Sequence, residues 1–352
     1  MGGARTRAWL AVAVVLPAAL LAALAGPGAQ ERAPLPASVE LPATVPRPLS
    51  FALVNDGQTI VLSAPVGGAG STDESVWMLD VRTRTASEIV RSAPMVAVPA
   101  PRGHLFALQT LRPPGELLLV RDGVITGWVP HPSPRGVWEV RGRWSRDGRH
   151  LVQGLDQPEL RSGESGRVPR AFRALGILEV ETRTLTRYPL RRPAVHVSVG
   201  PDGRIYASDL ENEDAGDLTV WMYDFAGHVV GMRRGLPGTD FSATGRYVLP
   251  RLSEPCRDFA ATDVRTGTVA RQWRQPPGGC LGVLGWHPTS DDWLLLFRDG
   301  ERPSEAGRLE LHAVSSGRVL RSFPQGEHAW TPDGHALVLF RDGAFVFEPL
   351  AP

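Results

Sequence analysis

Trp330-Thr331-Pro332-Asp333-Gly334, followed by the apolar run His335 to Phe340, sets the pattern for the whole chain. A bulky residue closes one strand, a tight turn ends in Asp-Gly, and a second strand leaves. Val199-Gly200-Pro201-Asp202-Gly203 repeats it, and Trp144-Ser145-Arg146-Asp147-Gly148 is a looser copy. Counting outward, the copies end at Gly57, Gly103, Gly148, Gly203, Gly245, Ser290 and Gly334, in steps of 46, 45, 55, 42, 45 and 44 residues. Several short strands per repeat at a period of roughly 40 to 50 residues predict a β-propeller.

Each repeat reads as four antiparallel strands counted from the central axis. Four positions before each anchor the innermost strand carries a bulky or apolar residue: Leu53, Trp144, Val199, Phe241, Trp286 and Trp330, with Pro99 as the exception. Third strands alternate in polarity, as in Val76 to Leu79 and Leu309 to Leu311. Fourth strands follow turns such as Asp263-Val264-Arg265-Thr266-Gly267. The fold class expected is all-β: a seven-bladed propeller of four-stranded antiparallel blades, with six or eight blades as the alternative. The last copy stops after Ala344 to Pro349, so its outer strand has to come from elsewhere, and Ser38-Val39-Glu40-Leu41 is the segment expected to supply it and close the ring.

The Pro-Asp-Gly copies resemble the repeat cores of TolB-like and WD-repeat propellers over residues 50 to 350. The resemblance implies blades and turns and a rigid platform for binding other proteins; it brings no catalytic site. Regular Trp-Asp ends and Gly-His starts of typical WD repeats are missing, which speaks against a cytoplasmic signalling role.

Composition narrows the function further. The 352 residues contain no lysine, so all 38 basic residues are arginine, and Schiff-base or phosphate-loop lysine chemistry is excluded. Arginines are spread along the chain against 37 acidic residues, which leaves no footprint for nucleic acid. Residues 1–29 read as an export signal or a retained N-terminal membrane anchor: Arg5 and Arg7 precede an apolar run from Trp9 to Leu24, and small residues follow. Either way the remainder is placed outside the cytoplasmic membrane, secreted or anchored at its outer face. Residues 30–49 form a Pro-rich linker that includes the closing strand, and 50–352 the propeller. A monomer is expected, attached to a membrane only where residues 1–29 are retained as an anchor.

In a four-stranded blade, the loop between second and third strands and the loop between blades emerge on one face. Cys256 lies in the first kind and Cys280 in the second, and an even pair in an exported chain predicts a disulfide. The same face collects the long loops Ser63 to Ser75, Asp156 to Ala174, Asp209 to Asp217 and Arg298 to Gly307. The second carries Arg161, Arg167, Arg170 and Arg173, and the third Asp209, Glu211, Glu213, Asp214 and Asp217. Binding residues are expected there, because function on rigid scaffolds concentrates in loops; solvated loops with weak surface ion pairs are the plainer alternative.

Catalytic and metal signatures are missing from the sequence. The acidic stretch has Gly216 in the wrong place for a calcium loop and lacks the bidentate Glu. There is no His-Glu-x-x-His, Cys-x-x-Cys or Gly-x-Ser-x-Gly. Ala261 to Gly267 followed by Trp273 looks like the tryptophan-docking repeat of quinoproteins, yet it occurs once and reads better as a turn between outer strands. No cofactor and no metal are expected. Two functions stay open: a non-catalytic platform for a protein or cell-envelope component, and a propeller hydrolase or lyase using paired carboxylates near the axis.

Overall fold

The computed structural model describes residues 34–66, 73–92, 95–101, 104–110, 115–132, 142–155, 171–209, 219–234, 236, 239–249, 256–299 and 307–350. The export or anchor reading of residues 1–29 lies outside them. Among the described residues the chain is all-β apart from one short 3-10 turn at Asn55–Gly57, and no helix is long and apolar enough to cross a membrane.

The first sheet is Ser50–Val54, Thr59–Pro65, Glu74–Asp80 and Ala86–Ser92, paired in chain order and antiparallel throughout. Met95–Pro99, Leu105–Thr110, Glu116–Arg121 and Val124–Pro130 repeat this order. So do Asp240–Phe241, Tyr247–Leu249, Phe259–Asp263 and Val269–Trp273, and likewise Leu281–Trp286, Trp293–Arg298, Arg308–Ala313 and Val319–Pro324. The last sheet, Glu327–Trp330, Ala336–Arg341 and Ala344–Pro349, takes its fourth strand from Ser38–Glu40, with Ser38 opposite Val346 and Glu40 opposite Ala344.

The remaining sheet differs from expectation. Seven strands join into one, because Thr184–Val199 runs for 16 residues. Its first half pairs with Phe172–Glu179 and its last residues with Ile205–Asp209, with irregular register on either side of Ala194. An outer strand therefore continues into the next inner strand without a loop, and six sheets stand where seven repeats were counted. Pro189 pairs opposite Ala174, and Pro193 falls in the register shift that follows.

Why these strands form sheets is visible in their burial. On Thr59–Pro65, Ile60, Leu62 and Ala64 join a core layer with Val338, Phe340 and Phe345 of the last sheet, while Val61 joins one with Phe106 and Leu108 of the second. Leu294 and Leu296 face one layer and Leu295 another. Second strands are thus apolar on both faces, as sheets stacked face to face require. The core is divided into layers between successive sheets, and Val39, fully buried with Val45, belongs to the layer between the last and the first.

Candidate functional site

The inner strands end in turns of repeated chemistry. The side-chain oxygens of Ser145, Ser242 and Thr331 accept the N–H five residues on, at 2.9, 3.0 and 3.0 Å. Asp147, Asp202 and Asp333 accept the N–H two residues on. The closing glycines sit at positive φ, for example 75° at Gly334, where only glycine is free of strain. In the sixth repeat His287 replaces the hydroxyl residue. Its Nδ1 accepts the N–H groups of Thr289 and Ser290, and its Nε2 donates to the Gly334 carbonyl of the next sheet at 2.8 Å.

Burial, the dominant influence, pulls the His287 imidazole below its ordinary value of 6.5, in keeping with a neutral ring whose Nδ1 must accept. The folded state then binds fewer protons than the unfolded chain. The stability this residue contributes is complete above pH 6.5 and is lost as pH falls from there through the lowered folded value. The melting temperature is expected to fall on acidification from about pH 7.5 to 5. His287→Gln, which keeps a donor but takes up no proton, should flatten the curve over that range; an unaltered slope would contradict the assignment.

These turns converge on the axis. Leu53, Pro99, Trp144, Val199, Phe241, Trp286 and Trp330, the seven residues at one position of the repeat, all line a single cavity of about 840 Å³. A second cavity of about 580 Å³ is bordered by the beginnings of inner strands, such as Ser50 and Glu327. The two share Arg143, Trp144, Leu284, Trp286 and Trp330. The first therefore lies toward the turn end of the inner strands and the second toward their beginnings. Two indoles are fixed by the same bond at the same step of the chain: Trp144 Nε1 donates to the Val98 carbonyl at 3.0 Å and Trp286 Nε1 to the Asp240 carbonyl at 3.1 Å. Among the described lining residues the carboxylates are Asp240 in the first cavity and Glu327 in the second.

At the end of the sheets opposite the inner turns, Cys256 and Cys280 are joined by a disulfide with a Cα–Cα distance of 4.6 Å. Gln275 reinforces it: its amide nitrogen donates to the carbonyls of Arg257 and Leu281, its amide oxygen accepts the Leu281 N–H, and its backbone N–H bonds Asp258. Two loops distant in sequence are locked together. With the cysteines 24 positions apart, replacing both by serine should cost about 3 kcal/mol, read as a lower urea midpoint with an m-value equal to or above that of the wild type.

Of the charged loop residues singled out in the sequence, Arg173 lies exposed on Phe172–Glu179 and Asp209 ends Ile205–Asp209 as a buried residue. Arg161, Arg167, Arg170, Glu211, Glu213, Asp214 and Asp217 lie outside the described residues.

A polar cluster also escaped the sequence reading. Glu310 is 1% exposed on Arg308–Ala313. It accepts from Arg308 Nε at 2.7 Å and His312 Nε2 at 2.9 Å, with Arg298 at 3.7 Å. His312 Nδ1 in turn receives the Trp273 indole N–H of the preceding sheet at 3.4 Å. Polar residues at 308, 310 and 312 between the apolar Leu309 and Leu311 were the available signal.

The fold that these sheets define is a β-propeller, with neighbours of the WD-repeat kind. Among solved structures, a chain of the mitotic checkpoint complex aligns with a TM-score of 0.55 at 12% identity, covering 99% of this chain and 100% of that one. The β-propeller domain of Cps50 (Swd1) from Myceliophteria thermophila gives 0.57 at 11% identity, over 87% of this chain and 98% of that one. Hydrazine synthase of Kuenenia stuttgartiensis gives 0.54 at 14% identity, over 92% of this chain and 99% of that one. No protein-family model matches the sequence, and no curated protein matches it.

Proposed function

We infer that the protein is a seven-bladed propeller closed by Ser38–Glu40, held outside the cytoplasmic membrane, and that it works without catalysis as a platform for a protein or cell-envelope component. The partner binds the loop-rich face, with Arg161, Arg167, Arg170 and Arg173 on one loop and Glu211, Glu213, Asp214 and Asp217 on the next as the contact residues. The observation that carries this reading is the covalent and hydrogen-bonded lock on that face, Cys256–Cys280 with Gln275. A pre-set surface loses less entropy when it binds, and a disulfide accords with an oxidising compartment.

The hydrolase or lyase reading calls for paired carboxylates in one axial cavity. Each cavity has one carboxylate among its described lining residues, Asp240 in the first and Glu327 in the second.

The test is capture from envelope extract. The intact protein is compared with one in which residues 157–169 are replaced by a short Gly-Ser linker, a deletion that spares the buried Phe172 and Ala174. The shortened protein should keep its melting temperature and lose the captured partner. Equal capture by both forms would remove the loop face from the binding reaction.

A further inference from the structure

The turn end of the axial cavity holds features that a loop-face platform leaves unused. Its wall is aromatic, through Trp144, Phe241, Trp286 and Trp330. The Trp144 and Trp286 N–H groups are already engaged with backbone carbonyls, so those indoles offer a guest only ring carbon. At about 840 Å³ the cavity falls within the range of small-molecule sites, roughly 300–1,000 Å³.

One stretch of wall is bare backbone. Gly282 and Gly285 both border the cavity, and a Cβ built on either meets no atom within 4 Å. The pairing of this strand with Trp293–Arg298 slips between Val283 and Gly285, leaving Leu284 without an opposite residue. Strand glycines and bulges of this sort mark places where a ligand comes close to the main chain.

The rim supplies charge. Arg146 is exposed at the cavity mouth and makes no hydrogen bond or ion pair among the described residues. Arg143 borders the same space, against Asp240 as the one carboxylate among the described lining residues and a neutral His287. Guanidinium groups beside aromatic walls suit a carboxylate, which they hold in a two-pronged bond, while ring faces pack against a flat body.

We propose that the turn end of the axial cavity binds a small organic anion, a carboxylate carried on a ring, with Arg146 gripping the carboxylate and the indoles covering the ring. A sugar acid and an aromatic acid share this chemistry, and the two arms of the test separate them. Digalacturonate and N-acetyl-tryptophan, each beside its neutral carboxamide, are titrated into the full protein by calorimetry. Variants Arg146→Glu and Gly282→Leu are compared, and their melting temperatures recorded. At least one acid should bind with Kd near or below ~1 mM and its carboxamide about tenfold more weakly. Arg146→Glu should weaken binding at least about tenfold, and Gly282→Leu, whose side chain grows into open space, should abolish it. Binding of digalacturonate alone assigns the site to acidic glycans, and of N-acetyl-tryptophan alone to aromatic acids. No binding of either acid at about 10 mM, equal binding of the carboxamide, or binding indifferent to Arg146→Glu would overturn the proposal. Should Gly282→Leu lower the melting temperature, the exposed Arg146→Glu decides.

Discussion

Replacing Glu310 by alanine is expected to destabilise the protein by about 3–5 kcal/mol, the range for stripping one partner from a buried charged group. Burial pushes the Glu310 carboxyl upward, but the hydrogen bonds from Arg308 and His312 and the charge of Arg298 outweigh it and hold the group below its ordinary 4.5. Without the carboxylate, the His312 donor is left in a site where its side chain is 8% exposed. Arg298, whose Nε already lacks a partner, loses its counter-charge. Arg308 is half exposed and keeps its hydration, which places the expected loss toward the lower end. Glu310→Gln retains an acceptor and should cost less. The depressed carboxyl also fixes a sign: its stability contribution stands above pH 4.5 and drains away as pH falls through the lowered folded value. Urea titrations of wild type and Glu310→Ala at pH 7 and pH 3.5 test both points. The gap between the two proteins should narrow in acid, and a constant gap would mean that charge is not what Glu310 supplies.

Deleting residues 37–46 should have an effect of similar or greater size. Val39 is fully buried and Val45 5% exposed, and burying one such side chain contributes about 1.5–3 kcal/mol. The deletion also removes the backbone bonds of the Ser38–Glu40 pairing, the Leu41 N–H bond to the Gly343 carbonyl and the Phe347 N–H bond to the Ala37 carbonyl. A loss of about 5 kcal/mol is expected. For a chain of this size that lowers the melting temperature by roughly 7 °C. It also leaves Ala344–Pro349 as a bare sheet edge, so the truncated protein should aggregate on heating. Scanning calorimetry with light scattering measures both, and an unchanged melting curve would show that Ser38–Glu40 adds nothing to the last sheet.

Both effects rest on placement, and the sequence revealed placement unevenly. Turns were legible because Gly148, Gly203, Gly245 and Gly334 stand where a positive φ is needed, a local requirement that no distant contact can override. The inner-strand residues followed from the same register, and even Pro99, the exception in chemistry, borders the cavity with the others. Ser38–Glu40 could be paired with the last sheet because an unfinished repeat leaves an edge to be filled. The cystine emerged because repeat topology puts both loops on one face.

What stayed hidden depends on contacts across repeats. Nothing local marks His287 as a link to Gly334, since a histidine after a tryptophan reads the same whether it faces solvent or the next turn. Glu310 looked like one more strand acid until Arg298 and Trp273, from other strands, met it and His312. The merger of two repeats was missed because each repeat was counted as its own four strands, whereas Thr184–Val199 runs on from one into the next.

That merger bears on how the molecule comes apart. The strands break off between sheets at 274–280 and 325–326, but here the outermost ladder of one sheet and the innermost ladder of the next share Thr184–Val199. Fraying at one end of this strand strains the other, so the flanking seven strands should exchange their amide hydrogens for deuterium as a single cooperative block. A protein built from loosely related repeats thereby acquires one indivisible segment, and its unfolding should begin in another sheet.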